Sequence, residues 1–210
     1  MSDSPAIKAV VFDLGGVLIS IHHERAMRFW ADRCGASDEE LINLYRSDKK
    51  YQLVECGLMP IEQYHRHVVE QLGRPIPLEA FVEGWNRMLG DVLPGVEALL
   101  DTLAGRVRLI CLSNTNAPHA EAFRVSLAGL LGRFERVFCS HEMAARKPDP
   151  GIYRQVLDYL LLPAGAVAFV DDRAENIAGA ESVGMRGVLS TTVEETAAGL
   201  ARLGVLKNSL

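Results

Sequence analysis

The sequence lacks the features that mark several classes of protein. It has no block of lysine and arginine, and its net charge is −5, so nucleic acid and anionic membrane surfaces are not expected as main partners. No uncharged apolar run approaches the ~20 residues that a membrane-spanning helix needs. The first residues lack the basic and apolar regions of a signal peptide. We therefore expect a soluble, cytoplasmic protein that does not bind a membrane.

Cysteine is scarce and has no metal-binding or redox spacing. The chain has four cysteines in 210 residues, and no two of them form a CxxC pair; they are Cys34, Cys56, Cys111 and Cys139. Two lie inside apolar runs. Buried free thiols in a reducing compartment are therefore the expectation.

Short apolar runs alternate with helical patterns along much of the chain. Five such runs show little alternation of polar and apolar residues, which is typical of strands covered on both faces in a parallel sheet. The runs span residues 9–12, 107–112, 136–139, 166–170 and 186–189. Amphipathic helical stripes separate the later runs. The pattern predicts an α/β fold with a doubly wound, Rossmann-like parallel sheet.

Residues 19–91 interrupt this alternation. They carry helical stripes and no convincing strand, which predicts a helical segment inserted directly after the first strand. Such an insert is placed to lie over the carboxyl edge of the sheet, where the sites of α/β proteins form. We therefore expect two domains, a core made of residues 1–18 and 92–210 and a helical cap made of residues 19–91.

Polar residues follow four of the predicted strands. Because the carboxyl ends of parallel strands lie at one edge of a sheet, we expect these residues to converge. They are Asp13 after the first strand, Ser113 and Asn114 after the second, Lys147 in the loop after the third, and Asp171 and Asp172 after the fourth. Neighbouring carboxylates raise one another's pKa unless a cation neutralises them. Mg²⁺, a hard cation that prefers oxygen ligands, is the expected cofactor.

The other predicted groups suit a phosphate. Lys147 can pair with both a phosphate and the Asp13 carboxylate. Ser113 offers a hydroxyl, and backbone N–H groups from Asn114 onward lie near a helix start, which is a ready anion site. A carboxylate nucleophile, a metal, a lysine and these donors suit phosphoryl transfer through an aspartyl-phosphate. The expected substrate is a small phosphorylated metabolite.

These motifs resemble those of the haloacid dehalogenase-like (HAD) hydrolase superfamily, in its subgroup with a helical cap. The matching segments are Phe12-Asp13-Leu14-Gly15-Gly16-Val17, Leu112-Ser113-Asn114-Thr115-Asn116, Arg146-Lys147-Pro148 and Phe169-Val170-Asp171-Asp172. Within the superfamily, Ser-Asn-Thr-Asn before His119 and the Asp-Asp-x-x-x-Asn motif ending at Asn176 are similar to bacterial α-D-glucose-1-phosphate phosphatases. The N-terminal phosphatase domain of soluble epoxide hydrolases is also similar.

The resemblance implies a role for each matching residue. It makes Asp13 the nucleophile and Lys147 a second catalytic residue. It places the phosphate on Ser113, Asn114 and Lys147, with His119 as a further candidate. It places Mg²⁺ on Asp13, Asp172 and the backbone carbonyl of Gly15, with Asp171 close by. A sugar phosphate is the substrate that it implies.

Gly15 departs from the usual pattern of the superfamily, in which the residue two after the nucleophile is the general acid and base. Glycine has no side chain for this step, which is worth roughly 10²–10⁴-fold in rate. His22, His23 and His119 are candidate substitutes because histidine titrates near neutral pH. Solvent exposure of His22 and His23, and capping or packing by His119, are the alternatives.

Two other functions stay open. A 2-haloacid dehalogenase also uses an aspartate nucleophile without a second aspartate nearby, but it needs no metal, so the Asp171-Asp172 pair favours the phosphatase. A phosphate-binding protein without turnover is the other alternative, and Gly15 keeps it open. In the cap, Trp85 and Glu55 could face the substrate. Core packing is the favoured alternative for Trp85, and a plain turn is the alternative for Glu55.

Overall fold

The computed structural model describes residues 5–206, without the side chains of Arg46 and Ser47. Its centre is a five-stranded parallel sheet with the strand order β5-β4-β1-β6-β7. The strands are β1 (Ala9–Phe12), β4 (Arg108–Ser113), β5 (Arg136–Cys139), β6 (Val167–Asp171) and β7 (Arg186–Leu189). The five apolar runs of the sequence are these five strands, with ends that shift by at most one residue, and the predicted α/β fold is confirmed.

Helices cover both faces of this sheet. They are α6 (Val96–Leu103), α7 (Ala117–Ser126), α8 (Ala128–Leu131), α9 (Ser140–Met143), α10 (Pro150–Leu160), α11 (Ala174–Ser182) and α12 (Val193–Arg202). Val10 and Phe12 pack on one face in a cluster with α6, α7 and α12. Ala9 and Val11 pack on the other face with α10 and α11. Burial on both faces explains why the strands are apolar at every position.

Five helices lie between β1 and α6 and have an apolar cluster of their own. They are α1 (His23–Cys34), α2 (Asp38–Ser47), α3 (Lys50–Glu55), α4 (Ile61–Leu72) and α5 (Leu78–Asn86). Large aromatic side chains dominate the cluster, including Trp30, Tyr64, Phe81 and Trp85, each at most 4% exposed. The helical stripes of the sequence therefore mark the buried faces of real helices.

Two short strands flank these helices, and here the sequence prediction was wrong. Strand β2 (Ile19–Ile21) pairs antiparallel with β3 (Leu89–Val92), so that Ile19 lies opposite Val92 and Ile21 opposite Leu89. The strands have three and four residues, which is too short for an alternation to show. β3 also contains Gly90 and Asp91, two residue types that are depleted in strands. The predicted boundaries between core and cap fall at this two-stranded ribbon and stay a prediction.

The cysteines are free thiols, as expected, but their burial differs from the prediction. Cys111 and Cys139 are buried in the sheet, whereas Cys34 and Cys56 are partly exposed. Among residues 5–206, no helix has both the length and the apolar composition that a membrane span requires.

Candidate active site

The residues predicted to converge line one cavity at the carboxyl edge of the sheet. β1 lies between β4 and β6, with Phe12 opposite both Cys111 and Val170, so the residues that follow these strands are neighbours. The cavity has a volume of about 380 Å³, which is in the range of small-molecule sites. Its lining includes Asp13, Gly15, Ser113, Asn114, His119, Lys147 and Asp172. Asp171 is fully buried beneath this lining.

Lys147 joins the nucleophile candidate to the buried aspartate. Its Nζ lies 2.7 Å from Oδ1 of Asp13 and 2.8 Å from Oδ2 of Asp171. The Asp13 Oδ1 atom also accepts the backbone N–H of Leu14 at 2.7 Å. Lys147 is only 1% exposed, so its charge acts in a poorly solvated environment where ion pairs are strong.

The two adjacent aspartates have different surroundings. Oδ1 of Asp171 accepts the N–H of Arg173 and the Nδ2 amide of Asn176, both at 2.9 Å, while Oδ2 faces Lys147. Both oxygens of Asp171 are thus engaged by donors. Asp172 is half-buried, lines the cavity, and lies so close to Gly16 that a Cβ atom there would clash with its carboxylate. Asp172 is therefore the better placed of the two to bind a ligand in the cavity.

The carboxylates form a group that suits a divalent cation. Asp13, Asp171 and Asp172 each offer an oxygen within 4.8 Å of the others. Burial, together with the charge of Asp171, raises the pKa of Asp13 to about 7 against the opposing effect of Lys147. Burial and Asp171 also raise the pKa of Asp172. One lysine balances only one of three carboxylate charges, and the donors are all hard oxygens, so the residues present fit Mg²⁺.

Ser113 is the last residue of β4 and Asn114 follows it, and their side chains have different surroundings. The Asn114 side chain donates Nδ2 to the Lys147 carbonyl at 2.9 Å and accepts the Lys147 N–H at 2.8 Å. Its amide is therefore bonded to the protein rather than to the space of the cavity. Ser113 is 6% exposed and borders the cavity. The predicted phosphate contacts at Ser113 and Asn114 stay predictions, and for Asn114 the backbone N–H is the group to consider.

The three candidate histidines have separate environments. Nε2 of His119 lies 2.6 Å from the carbonyl oxygen of Trp85, and since a carbonyl only accepts, Nε2 carries the proton. Burial lowers the pKa of His119 to about 4, so its ring is neutral near pH 7 and bridges α7 to α5. His22 contacts Ser20 and Glu24 and lies outside the cavity lining, which does include His23.

The side chain of Ile21 occupies the space above Gly15. A Cβ atom built on Gly15 would lie 2.8 Å from Cγ1 of Ile21. Ile21 belongs to β2, which the sequence did not predict. A larger residue at position 15 would have to displace Ile21. The apolar side chain of Ile21 therefore fills the space that an acid–base side chain at position 15 would need.

Part of the cavity wall was not predicted from the sequence. Tyr45 and Tyr51 line it together with Trp85, and Glu55 lies beside them. Nε of Arg146 donates to Glu55 at 2.7 Å, which links α3 to the loop that carries Lys147. Burial raises the pKa of Glu55, an effect that Arg146 opposes. Tyr45 lies on an apolar helical stripe, and such a stripe does not distinguish a core residue from one that borders a cavity.

Comparison with known proteins identifies the family. Residues 7–184 match the model of the haloacid dehalogenase-like hydrolases. The chain belongs to this family. The resemblance seen in the motifs is thus confirmed, and the five-stranded sheet with Asp13 at its carboxyl edge is the sheet of a HAD-like hydrolase.

Individual members of the family show how far the similarity extends. The chain is 24% identical to D-ribitol-5-phosphate phosphatase of Bacteroides thetaiotaomicron over 178 residues, which cover 81% of this chain and 85% of that one. It is 28% identical to a sesquiterpene phosphatase of Aspergillus oryzae over 186 residues, covering 86% and 88%. A crystal structure of a HAD family enzyme from B. thetaiotaomicron, a magnesium complex, has a TM-score of 0.76 at 25% identity and covers 89% and 94%.

Proposed function

We propose that this HAD-like hydrolase is a Mg²⁺-dependent phosphatase that acts on a small phosphorylated metabolite through an aspartyl-phosphate. The observation that carries the proposal is the position of Asp13, a buried carboxylate at the head of the cavity with Nζ of Lys147 at 2.7 Å. The names of the D-ribitol-5-phosphate and sesquiterpene phosphatases support phosphate esters as the class of substrate.

The chemistry follows from the groups around Asp13. A carboxylate oxygen of Asp13 forms a bond to phosphorus as the ester P–O bond breaks, and the departing alcohol oxygen takes up a proton. Water then attacks the phosphorus of the aspartyl-phosphate, which restores Asp13 and releases inorganic phosphate. Lys147 offsets the charge of the phosphoryl oxygens, with the Ser113 hydroxyl and the backbone N–H of Asn114 as further donors.

Asp13, Asp172 and the backbone carbonyl of Gly15 would hold the Mg²⁺ ion. Asp171, whose oxygens accept from Lys147, Arg173 and Asn176, holds Lys147 in place instead of binding the ion. When bound, the ion would offset negative charge on the phosphoryl group. The magnesium complex of the B. thetaiotaomicron enzyme supports this assignment.

The proton for the leaving oxygen comes from a group other than residue 15. His119 is neutral and uses its Nε2 proton on the Trp85 carbonyl, and His22 lies outside the cavity lining. His23 borders the cavity and is the side chain that we assign to this step. A phosphate ester with a good leaving group would depend little on such a donor.

The dehalogenase alternative leaves the acidic cluster unexplained. Without a metal, Asp172 would be an uncompensated carboxylate beside the nucleophile, within 4.8 Å of Asp13. A binding protein without turnover would need no ion pair between Asp13 and Lys147. A sugar phosphate is the substrate that the sequence resemblance implies, and it is one member of the panel below.

Release of inorganic phosphate from a panel of phosphate monoesters tests the proposal. With Mg²⁺ we expect turnover that EDTA abolishes and added Mg²⁺ restores. Asp13→Asn should lower kcat at least about 10³-fold, as expected for loss of a nucleophile, whereas the exposed Asp158→Asn should not change it. Halide release from a 2-haloacid in the presence of EDTA would overturn the proposal. Binding of phosphate without turnover of any ester would do so as well.

A further inference from the structure

The cavity has a charged end and an aromatic end. Asp13, Lys147 and Asp172 lie at the charged end. The rings of Tyr45, Tyr51 and Trp85, which we call the aromatic wall, border the same cavity from helices α2, α3 and α5. An alcohol whose phosphate reaches Asp13 lies in the cavity that this wall borders.

The aromatic wall is a rigid surface. Tyr51 stacks on Trp85 with ring centroids 5.0 Å apart and an angle of 30° between the planes. Tyr45 lies 5.5 Å from Tyr51. Tyr64 and Phe81 contact Trp85 at 5.7 and 4.9 Å and support it from the interior of the helices. Rings held in this way lose little further freedom when a ligand packs on them.

Other cavity residues add apolar surface near the aromatic wall. The apolar members of the lining are Ile19, Ile21, Met88, Leu89 and Phe123. Three polar groups near the wall already bond to other protein atoms. Asn116 donates to the Tyr51 hydroxyl at 3.3 Å, His119 bonds the Trp85 carbonyl, and Glu55 bonds Arg146.

Because these three groups are already engaged, they do not offer hydrogen bonds to the hydroxyl groups of an alcohol. Each hydroxyl that enters the cavity gives up its bonds to water, and an unpaired polar group in such a place is unfavourable. A flat apolar ring loses no hydrogen bonds to water when it enters the cavity, and it gains contact with the aromatic wall.

We propose that the alcohol part of the substrate carries a flat, largely apolar ring that packs against Tyr45 and Tyr51 while its phosphate reaches Asp13. The inference rests on the proposed phosphatase function and narrows its class of substrate. It replaces the sugar phosphate implied by the sequence resemblance with a ring-bearing phosphomonoester.

The test uses phosphate esters of primary alcohols, so that the leaving oxygen is chemically alike in all of them. We expect kcat/KM for 2-phenylethyl phosphate to exceed that for glycerol 1-phosphate and for ethyl phosphate by at least about tenfold. Tyr45→Ser should lower kcat/KM for 2-phenylethyl phosphate about tenfold, mainly through KM, and leave ethyl phosphate within about twofold. Tyr45→Phe should retain the preference.

Tyr159→Ser is the matched control, because Tyr159 is a partly exposed tyrosine on α10, outside the cavity lining. It should leave all three esters unchanged. Equal turnover of the three esters by the wild type would overturn the inference, as would an equal loss on all three in Tyr45→Ser when Tyr45→Phe is fully active. Phosphate release from none of them with Mg²⁺ would contradict the phosphatase proposal itself.

Discussion

Asn114 and Lys147 hold each other through two hydrogen bonds that run in opposite directions. The Asn114 amide donates to the carbonyl of Lys147 at 2.9 Å, and its oxygen accepts the N–H of the same residue at 2.8 Å. The end of β4 is thereby tied to the loop that follows β5 and α9. The side chain of Asn114, a residue predicted to offer its backbone N–H to the phosphate, thus fixes the backbone of the lysine beside Asp13.

The first prediction concerns this pair. Asn114→Ala should lower kcat with the best substrate by roughly 10- to 100-fold, because small displacements of a positioned group are costly in catalysis. Gln155→Ala is the control, since Gln155 is an exposed amide that also bonds a backbone carbonyl, that of Met143. Steady-state kinetics of both variants measure the effect. Wild-type kcat in Asn114→Ala would contradict the positioning role.

The second prediction separates the two adjacent aspartates. Asp171 accepts from three donors and is fully buried, so Asp171→Asn places an amide donor against donors. It should reduce the free energy of unfolding by about 3 kcal/mol in urea with EDTA. Asp172→Asn removes a carboxylate that borders the cavity and should leave this free energy within about 1 kcal/mol.

The same two variants should differ in their response to the metal. Asp172→Asn should raise the Mg²⁺ concentration for half-maximal phosphate release at least about tenfold, because it removes a charged oxygen ligand. Asp171→Asn should lower kcat even at saturating Mg²⁺, because it removes the carboxylate that holds Lys147 in position. If the Mg²⁺ requirement moved in Asp171→Asn and not in Asp172→Asn, the assignment of the ligand would be reversed.

The third prediction is a pH dependence of stability that originates at His119. Burial holds its folded-state pKa at about 4, while an unfolded histidine titrates near 6.5. Between these values the unfolded chain binds a proton that the folded protein does not, so stability falls as the pH falls from about 6.5 to about 4. The contribution of neutral His119 to the free energy of unfolding is fully present above about pH 6.5 and amounts to at most about 3 kcal/mol.

Urea unfolding at several pH values in EDTA measures this dependence. His119→Gln has no titrating ring, and its amide can still donate to the Trp85 carbonyl. It should flatten the loss of stability between pH 6.5 and pH 4 relative to the wild type. An unchanged slope in His119→Gln would show that other groups cause the acid sensitivity.

The sequence predicted those parts of the site that depend on local signals. Asp13, Ser113 and Asp172 each follow an apolar strand, and a parallel sheet brings such ends together whatever the rest of the chain does. Lys147 was placed by its motif. The predicted five strands were confirmed for the same reason, because residues buried on both faces leave an uninterrupted apolar run.

The parts that the sequence did not predict depend on pairings between distant residues. Strand β2 is recognisable only through β3, about 70 residues further on, and Asn114 finds its partner 33 residues away. The space above Gly15 is filled by Ile21, which no spacing rule connects to it. Tyr45 lies on an apolar stripe of its helix. Such a stripe looks the same in the sequence whether it packs against another helix or borders a cavity.

The ribbon of β2 and β3 marks the place where the helical segment could be exchanged for another during evolution. Both passages of the backbone between the sheet and the five helices are bonded to each other in this ribbon. A different set of helices could therefore be grafted between Ile21 and Leu89 without cutting any strand of the parallel sheet. Such an exchange would replace Tyr45, Tyr51 and Trp85 as one block, together with His23, and leave Asp13 and Lys147 where they are. At the ribbon, selectivity for the alcohol and the proton donor to its oxygen can therefore change without altering the residues that receive the phosphate.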